Sequence, residues 1–290
     1  MAEKTRADLV AEVARRFGQY GTGTATGGST TTVVDTGGLY APDDFWVGHY
    51  AYILEDAGGE GAAPEGEERP VTDYDQGTAT LTVDPEFSAA VGSGDVYELF
   101  ATRRAEVVAA INAGVRAAGE TWLVATVDTT VTIAADDYDY DLPSDLTRLL
   151  AVWTRGGTDE RFVELPGRLW RVSGTPAGPQ ELLLESLDDL DAGETLRLEY
   201  LARPTELSAD SSTLGVGEPA ERELVSFVVA YALYWLHDQA ASRSPEAAGF
   251  RGHYTQAESQ RAKAQEIRAG AARFHGRGTV RGTRWARGRG

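Results

Sequence analysis

Residues 218–236 read EPAERELVSFVVAYALYWL, a helix on which the other elements depend. Pro219 suits the first helical position, where its missing N–H forgoes no hydrogen bond. Glu221 and Glu223 put negative charge at the positive end of the helix dipole. From Leu224 onward the apolar side chains form no stripe. Leu224, Val225, Phe227, Val228, Val229, Tyr231, Leu233, Tyr234, Trp235 and Leu236 cover every side of the helix. A helix apolar all round is enclosed, in a protein core or in a bilayer. This run is well short of the roughly 20 residues that a span needs, and acids and Arg222 flank it, so no membrane association is expected. Two enclosures stay open: the rest of the same chain, or the chain together with neighbouring subunits packed on Phe227, Tyr231, Tyr234 and Trp235.

Three further helices can be placed around it. Thr5 with Asp8 forms an approximate capping box, and Leu9, Val13 and Phe17 recur at helical spacing, which predicts a helix over 5–19. Thr102 opens another, over 102–118, with Val107, Ile111 and Val115 on one face and Gly119 as its stop. After the central helix (219–241), Ser244 and Pro245 punctuate the chain and start a last helix over 245–274. Its predicted inner face is Phe250, Tyr254, Ala257, Ala264, Ile267, Ala271 and Phe274.

Between the helices lie β-rich runs. STTTVVD, FWVGHYAYILE, RPVTDYD, TATLTVD and DVYELF predict a module of about five strands between Ser29 and Phe100. The preceding GTGTATGG (21–28) lacks dinucleotide-loop spacing and no helix follows it, so it reads as a flexible lead into a strand. A second module runs from Thr121 to about Pro204, with a turn at Leu142–Asp145 and a polar loop at 208–217. The fold class that results is α+β, a discontinuous helical core with two inserted antiparallel β modules and a basic C-terminal tail. Its divisions are a core helix in 1–20, a β module in 21–101, a core helix in 102–119, a β module in 120–217, core helices in 218–274 and a Gly/Arg tail in 275–290.

Composition narrows the chemistry. With no cysteine, disulfides, thiolate metal sites and Cys nucleophiles are excluded. MAEKTRADLV has no apolar stretch of the secretory kind, so synthesis and use without secretion are expected. Net charge is −18, and only Lys4 and Lys263 are lysine. Such a balance fits work in concentrated salt, where a Debye length of about 3 Å near 1 M screens self-repulsion. A GC-rich genome that favours arginine codons explains the lysine deficit equally well.

No motif argues for catalysis. His49, His237, His253 and His275 are far apart in sequence, with no metal-ligand spacing, and His237 reads as a structural histidine at the end of an apolar helix. Asp136, Asp137, Asp139 and Asp141 alternate with Tyr138 and Tyr140. Period two puts the tyrosines on one face, and the carboxylates suit a solvated strand edge better than a Ca²⁺ site, since no closing Glu follows. No nucleophile elbow or Walker sequence occurs, and no cofactor is expected. Residues 261–290 carry nine basic residues against Glu266 alone, a net +8, which leaves −26 on residues 1–260. That body repels a phosphate backbone, so double-stranded DNA can pass it without tight binding.

Several segments together resemble a known family. STTTVVDTGGLYAPDDFWVGHYAYI, ERPVTDYDQGTATLTVDPEFSAAVGSGDVYEL and the INAGVR helix core look like the head–tail adaptor (connector, neck) proteins of tailed phages or tailed archaeal viruses. YDLPSDLTRLLAVWTR and GETLRLEYLARPTEL extend the likeness over most of residues 5–275. The resemblance implies a non-enzymatic virion protein made in the host cytoplasm. It implies a homo-oligomeric ring of twelve copies at the head–tail junction, between the portal protein and a downstream neck or tail protein, lining the DNA passage. It also implies portal docking by the C-terminal segment, here through Arg277, Arg281, Arg284, Trp285, Arg287 and Arg289. Two other readings stay open. One is a different neck or tail-tube structural protein. The other is a glycan-binding or glycan-active β protein using Phe45, Trp46, Tyr50 and Tyr52.

Overall fold

The computed structural model describes residues 3–59, 61–119, 121–155, 161–174, 180–185, 190–215, 220–243 and 247–275. Pro219, Ser244, Pro245 and the whole 276–290 tail, with its predicted docking residues, lie outside these. The described residues form four helices and fourteen strands, all strand pairs being antiparallel, so the fold is α+β as the sequence implies.

The chain opens with α1 (Arg6–Phe17), whose Thr5/Asp8 capping box forms in full. The first β module contains β1 (Tyr20–Thr24), β2 (Gly27–Gly28), β3 (Thr32–Val34), β4 (Tyr50–Glu55), β5 (Glu68–Asp75), β6 (Thr80–Val83) and β7 (Val96–Phe100). These make one seven-stranded sheet in the order β1-β7-β4-β5-β6-β3-β2. Strand β5 carries the sheet round a corner. Its first residues pair with β4 and its last with β6, across a bulge between Val71 and Asp73 that adds local twist. The glycine-rich 21–28 stretch is therefore sheet, two short strands and not only a lead into one. A Cβ at Gly23 would lie 2.4 Å from Asp35 Oδ2 and 2.6 Å from the Tyr97 hydroxyl. Glycine is what lets β1 close over the buried Asp35–Tyr97 hydrogen bond of 2.8 Å.

Helix α2 (Arg104–Ala118) follows, with Arg103 at its N-cap and no side-chain cap. Thr102, expected to open it, instead gives its hydroxyl to Glu106 at 2.5 Å. Gly119 stops it in a right-handed conformation (φ −54°), not the left-handed one that a glycine stop usually supplies.

The second β module holds β8 (Val124–Asp128), β9 (Asp139–Asp141), β10 (Leu146–Arg155), β11 (Val163–Glu164), β12 (Trp170–Gly174), β13 (Gln180–Leu184) and β14 (Thr195–Ala202). A four-stranded sheet (β11-β10-β14-β8) and a three-stranded sheet (β12-β13-β9) share one core. That core includes Tyr140, Val152, Leu182, Leu196, Leu198 and Tyr200. Residues 130–135 (TVTIAA), β-rich in sequence, form only a single bridge, between Thr132 and Thr195.

Helices α3 (Ala220–Arg243) and α4 (Ala247–His275) are the last of the described elements. The helix quoted first is α3, and it packs against α1, α2 and α4. Its all-round apolar character is consumed mainly within the chain: Leu224, Phe227, Val228, Val229, Ala232, Leu233 and Leu236 are each no more than 2% exposed. Trp122, just past α2, meets the Phe227 ring at 5.0 Å. Gly114 lets α2 and α3 come close, since a Cβ there would stand 3.0 Å from the Val228 carbonyl oxygen.

Candidate functional site

Three places bring chemistry-bearing side chains together: the outer side of the α3–α4 pair, the junction of the first β module with the helices, and one end of the helical core.

Helix α4 touches α3 along a narrow seam. Ala257, Ala264 and Ala271 are buried, and His253, Gln260 and Ile267 are half-buried, a spacing of alternating four and three residues. Small residues seven apart let the helix axes approach. Phe250 and Tyr254 do not join this seam as the sequence suggests. They stack on each other at 5.7 Å and remain 43% and 50% exposed, and the Phe274 side chain lies outside the described residues. One helical repeat beyond Tyr254, the Arg261 guanidinium sits 6.0 Å from the Tyr234 ring, and Tyr234 meets Tyr231 edge-on at 5.8 Å. Tyr231, Tyr234 and Trp235 are half-buried, whereas Phe227 is spent inside the protomer. The result is a strip of aromatic and arginine side chains on the outside of the hairpin.

The junction was not foreseen from the sequence. Arg104, at the start of α2, is 7% exposed, and its Nη2 donates to both carboxylate oxygens of Asp210 at 2.8 Å. Its Nε donates to Glu98 of β7 at 3.3 Å, and its guanidinium lies 4.5 Å from the Tyr52 ring of β4. Arg6 of α1 donates through Nε to Asp210 at 2.9 Å, and Tyr20 of β1 donates its hydroxyl to Glu98 at 2.5 Å. Burial alone raises the Asp210 carboxyl. Hydrogen bonds and charge from Arg104 and then Arg6 outweigh that and hold it below the usual carboxylate range. Burial, then the Glu98 hydrogen bond and charge, push the Tyr20 hydroxyl upward. The described part of the predicted 208–217 polar loop, 208–215, is thereby tied to α1, whose Arg6 N–H also donates to Ser212 O at 2.8 Å. These paired charges tie β1, β4 and β7 of the first β module to α1, α2 and the loop that carries Asp210.

At the end of the core the structure unites two histidines that are far apart in sequence. His237 of α3 and His253 of α4 place their Nδ1 atoms 3.1 Å apart, and Phe17 of α1 packs on both rings at 4.9 and 6.3 Å. Burial first, and the neighbouring His253 second, lower His237 to about 4.

The other candidates separate. Phe45 and Trp46 lie before β4 and meet at right angles, Trp46 being in the core. Tyr50 and Tyr52 stand under Arg103 and Arg104. No flat aromatic platform results. In the acidic run Tyr140 is buried, whereas Tyr138, which precedes β9 and follows the turn at Asp136 (φ +58°), is 47% exposed. Asp137 accepts the Asp139 N–H, and among the described residues no three His, Cys, Asp or Glu side chains come together to hold a metal. The cleft at Gly23, Asp35 and Gly38 has its carboxylate satisfied by Tyr97 and the Gly37 N–H. No described helix is long and apolar enough to cross a membrane.

None of the curated proteins compared matches the chain. Residues 92–281 match the family described as SU10 adaptor protein. The matched segment starts just before β7 and takes in α2, the whole second β module, α3 and α4. It covers well over half of the sequence, and the chain belongs to the SU10 adaptor protein family.

Proposed function

We propose that this protein is a structural, non-enzymatic virion adaptor that forms a closed ring at the head–tail junction, joining the portal to a downstream neck or tail protein. Family membership is the observation that carries this reading. The outward aromatic strip on α3 and α4 supports it, since a heterologous ring needs a patch on each copy for its neighbour. In this reading Tyr231, Tyr234 and Trp235 supply the subunit contact and Phe227 backs them from within the protomer. The two β modules, residues 21–101 and 120–217, are carried on the helical core (1–20, 102–119 and 218–274). The −26 of residues 1–260 suits a DNA passage that must not hold the duplex, and a host rich in salt.

Portal docking falls to the 275–290 tail. Arginine offers planar, bidentate pairing to carboxylates, and Trp285 offers an apolar anchor that molar salt does not weaken. Truncation after His275 leaves a folded body but abolishes joining to the portal, and Trp285→Ala weakens attachment more than Arg289→Ala. Head assembly with each variant, followed by a count of tailed and tailless particles, tests this. Normal numbers of tailed particles with the truncated chain would refute the docking role.

A further inference from the structure

The His237–His253 pair has a geometry that the adaptor role does not require. The two residues lie on different helices, toward the end of α3 and near the start of α4. Their Nδ1 atoms approach to 3.1 Å with ring centroids 5.5 Å apart, the planes inclined by 36°. Phe17 packs against both rings and keeps them together at the end of the core. Two imidazole nitrogens on one tetrahedral Zn²⁺ at the usual 2.0–2.1 Å stand about 3.3–3.4 Å apart. The observed separation is within about 0.3 Å of that value, so chelation requires a small opening of the pair and a turn of the rings that aims both lone pairs at the ion. At this distance one Nδ1 carries the proton that the other accepts, and which ring donates depends on the tautomer. Binding needs that ring to carry its proton on Nε2 instead, a change of tautomer with no net loss of a proton. Neither Nε2 is among the buried polar atoms left without a partner, so neither position is closed to a proton.

We propose that His237 and His253 form a two-histidine site for a borderline divalent transition-metal ion, of which Zn²⁺ is the representative, clipping α3 to α4. Among the described residues no third His, Cys, Asp or Glu completes the set, so water fills the remaining positions. The site is therefore open and exchangeable, in contrast to a four-ligand structural zinc site. Imidazole donors favour Cu²⁺, Ni²⁺ and Zn²⁺ and give no hold on Mg²⁺ or Ca²⁺, which select oxygen.

The full chain, freed of metal with a chelator, is titrated with Zn²⁺ by calorimetry and with Cu²⁺ by electron paramagnetic resonance. The expected result is one ion per chain, two coordinating ring nitrogens in the Cu²⁺ spectrum, and a higher melting temperature with Zn²⁺. His253→Gln and His237→Gln should each weaken binding at least about tenfold, in line with what even secondary losses cost at such sites. His237 is 7% exposed and its variant can misfold; His253 is half-exposed, and its variant keeps the test decisive. Absence of Zn²⁺ binding, or binding that His253→Gln leaves unchanged in a folded protein, overturns the proposal. The second outcome would assign the ion to His49, His275 or surface carboxylates.

Discussion

Asp210→Asn removes one charge from the junction while keeping its shape. In the native protein this carboxylate serves two guanidiniums, accepting Arg104 at 2.8 Å on both oxygens and Arg6 at 2.9 Å. After the substitution Arg104, 7% exposed, keeps only Glu98 at 3.3 Å as an anionic partner. Stripping a partner from a fully buried ion pair costs about 3–5 kcal/mol. The Asp210 side chain is 33% exposed, so solvent screens part of this and about 2 kcal/mol is the reasonable figure. For a chain of this size that loss corresponds to a fall in melting temperature of roughly 4–8 °C at neutral pH. Acid supplies a second check. The folded-state carboxyl titrates below its unfolded value, so its contribution is present above about pH 4 and is lost as pH falls through the folded pKa. Melts of the two proteins should therefore differ by a constant amount from pH 7 to about pH 5 and converge in stronger acid. A neutral-pH difference under about 1 °C, or one that persists undiminished in acid, would refute the idea that this network fastens the β module to the helices.

Two other perturbations test packing and charge. Gly114→Val drives a branched side chain into the Val228 backbone, 3.0 Å from even a Cβ, and should cost about 1–3 kcal/mol by parting α2 from α3, read by chemical denaturation. If the −26 on residues 1–260 is a salt adaptation, melting temperature should climb steeply from dilute buffer to molar KCl; a flat profile would return the lysine deficit to codon usage.

What the sequence made legible follows from how local each signal is. The four helices could be read because caps and apolar spacing lie within a few residues, as Thr5 and Asp8 show. The β1 and β2 strands could not. Glycine is a poor strand former, and the reason for it here, the Asp35–Tyr97 pair beneath Gly23, spans 62 residues. Arg104 and Asp210 are 106 residues apart, and nothing near either one announces the other. The histidine pair was hidden for the same cause, sixteen residues divided between two helices. The α4 seam was within reach, because Ala257, Ala264 and Ala271 repeat every seven residues. Including Phe250 and Tyr254 in it mistook a solvent-facing stack for core. The helix apolar all round correctly announced its burial, but three helices of its own chain cover most of it, and of its large apolar side chains Tyr231, Tyr234 and Trp235 keep surface for a neighbour.

The most direct test of the adaptor reading is a reconstruction of the intact particle neck with this chain located in it. The expected result is a closed ring of identical copies between portal and tail, with the outer side of α3 and α4 against the adjacent copy. A single copy, or a position at a fibre tip or on the capsid surface, would contradict it.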